Sequence, residues 1–173
     1  VAISPEADMR DGILVNIQNG VGCFWSESRL WDYNIYYQKL DEDGNTVFNS
    51  GGIELINANS DDIILSVIET PDDHLMIFWF NEQWSPNGSL KIIKYLKIDH
   101  DGSPEIGWNP AGDNLSDPYS ASSNLQIKMI NEESGIICYW NQIGNFSDIY
   151  SQVVDWEGNQ LWSSGGIVIS DAD

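Results

Sequence analysis

Asp41, Asp43 and Asn45 alternate around Gly44. The pattern returns as Asp99, Asp101 and Ser103 around Gly102, and again as Asp155, Glu157 and Asn159 around Gly158. Oxygen side chains at every second position beside a glycine are how a calcium loop opens. Calcium is therefore the candidate ion, with Asp41, Asp43, Asp99, Asp101, Asp155 and Glu157 as candidate ligands. The bidentate Glu that closes an EF-hand loop is missing. The same residues also read as hairpin turns in which Asp and Asn bond their own backbone. Both readings stand at this level.

A second group follows three lines that can be laid over one another: Gly22-Cys23-Phe24-Trp25, Met76-Ile77-Phe78-Trp79 and Ile137-Cys138-Tyr139-Trp140. Shortly after each line stands one further aromatic: Trp31, Trp84 and Phe146. Asn81, Gln83, Asn141 and Gln142 lie beside them. Aromatic rings flanked by amides can stack on sugars and hydrogen-bond their hydroxyls. The alternative is that these rings cap the sheet cores. Trp25, Trp79 and Trp140 are assigned to the core.

Catalytic patterns are not found. The only histidines, His74 and His100, fall in predicted turns without a Cys or Ser partner at a recognisable spacing. Asp43 and Gly44 are adjacent, which breaks the sialidase Asp-box. Neither a phosphate-binding glycine loop nor zinc-ligand spacing occurs. The chain is read as non-enzymatic, with no cofactor beyond the candidate calcium. Seven Lys and Arg stand against 27 Asp and Glu, a net charge of −20. Such a surface repels phosphate backbones and anionic headgroups, which argues against nucleic-acid binding. Without an apolar run of about 18 residues, membrane insertion as a helix is not expected.

The elements that must position these residues repeat too. The unit is about 58 residues long, a period that marks a repeat architecture. The 173 residues read as a single domain with repeats at roughly 9–59, 60–117 and 118–173. Residues 1–8 resemble 167–173 and read as the tail of a preceding repeat. The first repeat predicts strands over 13–19, 21–26, 34–41 and 46–56. The second predicts 63–69, 75–80, 91–98 and a weak strand near 105–109. The third predicts 125–130, 136–140, 149–155 and 160–169. Val, Ile, Tyr and Trp fill these runs, and Gly, Asn, Asp, Ser and Pro separate them. The second strands are apolar throughout, as in a strand buried on both faces. The expected fold is all-β: three four-stranded antiparallel β-propeller blades. A β-trefoil, also three repeats of four strands, is the alternative.

The run Asp148-Ile149-Tyr150-Ser151-Gln152-Val153-Val154-Asp155, followed by Gly158-Asn159 and Leu161-Trp162, resembles a propeller repeat of secreted and surface-attached bacterial proteins. The first repeat matches with Ile35-Tyr36-Tyr37-Gln38-Lys39-Leu40-Asp41. The second departs from it: Lys94 replaces the Tyr, Leu96 replaces the Gln, and Trp108 comes two residues late. The Asp-Gly-Trp ending is also similar to quinoprotein-type propeller repeats, without matching cofactor residues. The resemblance implies an extracellular or cell-surface protein with a structural, adhesive or protein-binding role. A glycan-binding lectin module is one alternative. A propeller enzyme with catalytic residues outside this segment is another.

Closed propellers have about four to eight blades, so three leave two faces open. The implied partners are further blades of a longer chain, additional copies, a glycan or a surface protein. Leu14 or Ile13 is expected on one open face and Ile149 or Val153 on the other. Cys23 and Cys138 occupy equivalent places in non-adjacent repeats, beyond the roughly 7 Å Cα limit for a disulfide. They are read as separate free thiols in apolar slots. Mass spectrometry of the unreduced protein should find no Cys23–Cys138 crosslink; finding one would end the repeat register given above.

Overall fold

The computed structural model describes residues 8–29, 31–85, 88–116, 121–130, 134–143 and 146–170, with the side chains of 85, 88, 121–124, 134–143 and 146–147 left out. Among these residues there are twelve strands and no helix. The first sheet holds β1 (Asp8–Ile17), β2 (Gly20–Ser28), β3 (Tyr33–Leu40) and β4 (Ile53–Ile56). The second holds β5 (Asp61–Glu69), β6 (Leu75–Ser85), β7 (Gly88–Ile98) and β8 (Asp113–Asn114). The third holds β9 (Ala121–Met129), β10 (Ser134–Ile143), β11 (Phe146–Asp155) and β12 (Ile167–Ser170). Each sheet is an antiparallel meander whose spatial order is its chain order.

The fourth strands depart from expectation. After each glycine hairpin the chain makes a single bridge: Leu40 with Thr46, Ile98 with Pro104, and Val154 with Gln160. It then leaves the ladder in a loop closed by Gly52 N–H on Asn49, Gly112 N–H on Asn109 and Gly166 N–H on Ser163. Those glycines have φ of 72°, 70° and 90°, a region that disfavours side chains. Pairing resumes only beyond the loop. The last strands are therefore β4, β8 and β12 rather than 46–56, 105–109 and 160–169. The late Trp108 is absorbed by an extra turn, in which its N–H donates to Glu105.

The middle sheet is buried on both faces. Side chains alternate across a strand, so an unbroken apolar run serves two cores. Leu75, Ile77 and Trp79 pack with Leu96 and Ile98 against Phe24, Ile35 and Tyr37 of the first sheet. Met76 and Phe78 pack with Ile93 and Tyr95 against Leu125, Val154 and Trp156. Burying each such side chain contributes about 1.5–3 kcal/mol.

One cluster recurs at both junctions. Phe24 stacks on Tyr37 at 4.4 Å, and Phe48 meets the same tyrosine edge-on at 5.3 Å. The Tyr37 hydroxyl donates to the carbonyl of His100, in the next sheet's hairpin, at 3.0 Å. Likewise Phe78 stacks on Tyr95, Trp108 meets it edge-on, and its hydroxyl donates to the Gly158 carbonyl at 2.8 Å. The hairpin glycines lie close against the preceding sheet. A Cβ on Gly102 would lie 2.5 Å from Ile53, and one on Gly158 would lie 2.6 Å from Trp108.

Two of the three core tryptophans need correction or restriction, and the open-face residues divide. Trp79 is fully buried, but Trp25, its counterpart, is only half-buried because nothing in the described chain covers its face. The Trp140 side chain lies outside the described residues. Ile13 packs toward the second sheet, because it pairs opposite Phe24, while Leu14 points out and is 73% exposed. Ile149 is exposed as expected, but Val153 is buried.

Gly112 and Gly107 separate packing from backbone strain. Both have positive φ, so alanine at either strains the backbone by about 1–2 kcal/mol. Only at Gly112 would the new Cβ strike Trp79, 2.1 Å from Cη2. Gly112→Ala should lose about 1–3 kcal/mol more than Gly107→Ala, read as about 2–4 °C of Tm per kcal/mol. Equal losses would show that Trp79 yields without cost.

Candidate functional site

The predicted calcium ligands lie in three separate hairpins. Asp41 Oδ1 accepts the backbone N–H groups of Asp43 at 3.0 Å and Asn45 at 2.8 Å. Asp99 does the same for Asp101 and Ser103, and Asp155 for Glu157 and Asn159. The Asn45 side chain and these backbone donors hold the Asp41 carboxyl below its usual range. The first carboxylate of each hairpin is thus engaged with its own turn, while Asp43, Asp101 and Glu157 are exposed. Among the described residues, the donors that do converge are others: Glu69, Asp73 and His100, within 4.8 Å of one another. His74, the second histidine, sits nearby with its Nε2 2.6 Å from Glu105.

The opposite end of the sheets carries the predicted ligand face. Trp31 is 91% exposed and Trp84 is 71% exposed, so neither caps a core. Asp61 ties the two sheets together here. Its Oδ1 accepts from the Tyr33 N–H at 2.9 Å and its Oδ2 from the Trp84 indole at 3.2 Å. The side chains of Phe146, Asn141 and Gln142 lie outside the described residues.

Asn81 and Gln83 open onto a recess of about 280 Å³ between the first and second sheets. Its walls are Leu55, Ile56, Asn57 and Ala58 on one side, and Asp62, Trp79, Lys94, Pro110 and Ala111 on the other. Asp62 is fully buried. Its Oδ1 accepts from the Trp79 indole at 2.9 Å and from Asn81 Nδ2 at 2.8 Å. Its Oδ2 is buried without a hydrogen-bond partner. Burial pushes this carboxyl up to about 6, against the hydrogen bonds from Asn81 and Trp79 and the charge of Lys94. The Ala58 N–H also faces the carboxylate and lowers it, without closing a hydrogen bond to Oδ2. Lys94 is half-buried, which lowers its own value, and donates to the Ala111 carbonyl at 2.8 Å.

The first sheet carries different side chains at the equivalent places. There the equivalent indole, Trp25, donates to Glu27 at 2.9 Å, and Arg29 binds the same carboxylate. Arg29 also lies over the Tyr36 ring at 4.0 Å, and Tyr36 donates to Glu54. Trp25 pairs opposite Tyr36 just as Trp79 pairs opposite Lys94. Where the first repeat places Glu27, Arg29 and Tyr36, the second places Asn81, Gln83 and Lys94. A linked plug of side chains is replaced by shorter or thinner ones, and space opens. Asp62 was not among the residues singled out from sequence. The available signal was the loss of the repeat's Tyr at Lys94.

No protein-family model matches the chain, and no curated protein or solved structure matches it either.

The raised value of Asp62 has a signed consequence. Between about pH 4 and 6 the folded carboxyl keeps a proton that the unfolded one releases. Its contribution to stability therefore falls as pH rises through that window. Asp62→Asn does not titrate, so the variant should gain on the natural protein between about pH 4 and pH 7. The gain is bounded by about 3 kcal/mol, from roughly two pKa units at 1.36 kcal/mol each. Urea unfolding at both pH values measures it; a difference that stays constant would give Asp62 an ordinary carboxyl.

Proposed function

We propose that the chain is a non-enzymatic, extracellular β-propeller segment that acts by stacking its blade-like sheets and presenting their loop end to a partner. The observation that carries this reading is one junction used twice within the chain and left open on the first sheet. Gly102 and Gly158 pack on the preceding sheet, whereas a Cβ on Gly44 would meet nothing within 4 Å. Beside that open hairpin runs an apolar groove lined by Met9, Cys23, Trp25, Leu40 and Gly52. Strand pairing confined within each sheet supports stacked blades over a trefoil. The likeness of the repeat to secreted bacterial propellers supports the extracellular setting. Apolar patches beyond a few hundred Å² mark interfaces, and the open groove fits another blade of the same kind.

A glycan-binding role is the second reading. Exposed Trp31 and Trp84 favour it, because among the described residues these rings stay largely open to solvent.

Light scattering tests the stacking. The protein should associate as its concentration rises, and more so as salt screens the −20 charge, with a Debye length of about 8 Å at 0.15 M. Leu14→Glu, on the open face, should weaken association without unfolding the chain. A protein that stays monomeric at high concentration and high salt would overturn the open-blade reading. Binding to a glycan array would support the second reading independently.

A further inference from the structure

We propose that the recess around Asp62 binds a single neutral, hydroxyl-rich ring of monosaccharide size. This deepens the glycan reading of the loop end and rests on it.

Asp62 Oδ2 is an acceptor that the protein buries and leaves without a donor. Leaving such an oxygen unmatched costs the full desolvation of the group, and more when it is charged. A ligand hydroxyl reaching Oδ2 removes that cost. The rest of the wall suits a molecule carrying both donors and acceptors. Exposed Gln83 lines the recess with an amide whose Nε2 donates to Asn81 Oδ1 and whose carbonyl oxygen accepts, and Lys94 lines it with an ammonium that has donors beyond its bond to Ala111. Pro110 adds exposed apolar wall against which a ring's C–H face can lie, with the buried Trp79 indole behind it.

Charge selects among ligands. An anion meets a chain of net charge −20 and the Asp62 carboxyl. A cation meets Lys94, whose Coulombic interaction with Asp62 already serves that carboxyl. A neutral polyol avoids both penalties. The volume, about 280 Å³, lies just below the range of drug-sized small-molecule sites, roughly 300–1,000 Å³. That admits one sugar ring rather than a chain. The site also sits where the second repeat departs from the first. Tyr36 stands in the first sheet at the place that Lys94 takes in the second.

The test is a side-chain NMR titration of the isotopically labelled chain with methyl glycosides of glucose, galactose, mannose and N-acetylglucosamine, and separately with ethanolamine. Saturable shifts of the Trp79 indole and Asn81 amide signals with at least one glycoside are expected. Lys94→Tyr, which restores the first repeat's residue and fills the space, should weaken that binding at least tenfold. Gln83→Ala, at an exposed position, should weaken it several-fold and serves if Lys94→Tyr does not fold. Shifts confined to the Trp31 and Trp84 indoles would leave the glycan reading standing and overturn the recess. No shift with any glycoside would overturn the recess as well, and a blank glycan array beside it would remove the glycan reading too. Shifts with ethanolamine alone, or equal glycoside binding by the natural protein and the variants, would also overturn the proposal.

Discussion

The tyrosine hydroxyls of Tyr37 and Tyr95 tie the sheets into one body. Each tyrosine is fixed by a stacked phenylalanine within its own sheet and by an edge-on ring from its own loop. Only its hydroxyl is directed outward, to a carbonyl in the next hairpin. A buried phenol must find a partner. Here that partner lies in the following repeat, so the bond sets the distance and orientation between sheets. The hairpin glycines are the other half of the device. Gly102 and Gly158 leave no room for a Cβ, so the hairpin backbone can approach the ring cluster closely. The third repeat carries Ser151 at the place of these tyrosines, counted from the hairpin Asp. A further sheet beyond it would need another anchor.

This junction explains the unequal fates of equivalent residues. Cys23 and Trp25 align with Ile77 and Trp79. The second pair is fully buried because the first sheet lies over it, and the first pair is only half-buried. Identity of residue type therefore says less about burial than position along the stack. The same holds at the loop end. Glu27 and Asp62 each accept an indole N–H. Burial works against ionisation of Glu27, but Arg29 and Trp25 hold its carboxyl below the usual range. At Asp62 burial prevails over the hydrogen bonds from Asn81 and Trp79 and the charge of Lys94. Two carboxyls that accept the same kind of indole bond shift in opposite directions, because Asp62 is the more deeply buried and Glu27 has an arginine beside it.

Much of the fold was legible because its signals are local. A two-residue alternation, an unbroken apolar run at Leu75 to Phe80 and an Asp-Gly hairpin each act over a few residues. They locate the first three strands of each sheet and the burial of β6 on both faces. The fourth strands were misplaced because a glycine loop takes them out of register, and the loop's closing hydrogen bonds do not show in composition. Leu14 and Ile13 stood as alternatives for the open face, and the choice between them depends on the pairing of Ile13 opposite Phe24 beyond a bulge in β1. Of the candidate site, Asn81, Gln83, Trp31 and Trp84 were visible as an aromatic and amide cluster. Asp62 was not, because an isolated Asp in a chain with 27 acidic residues carries no mark of burial.

The sequence by itself determined the repeat, the all-β class, the hairpins and the residues able to fill a core. Those follow from side-chain volume, backbone preference and spacing, which are properties of short stretches. Only the tertiary structure decided which copy of each residue is covered. Neighbouring sheets seal the second repeat on both faces and leave one face of the first open. It also decided that Lys94, in the place of a tyrosine, lines a recess beside a buried carboxyl. The physical reason is that burial and desolvation depend on what stands opposite a residue, and the partner across each junction here lies a full repeat away in the chain.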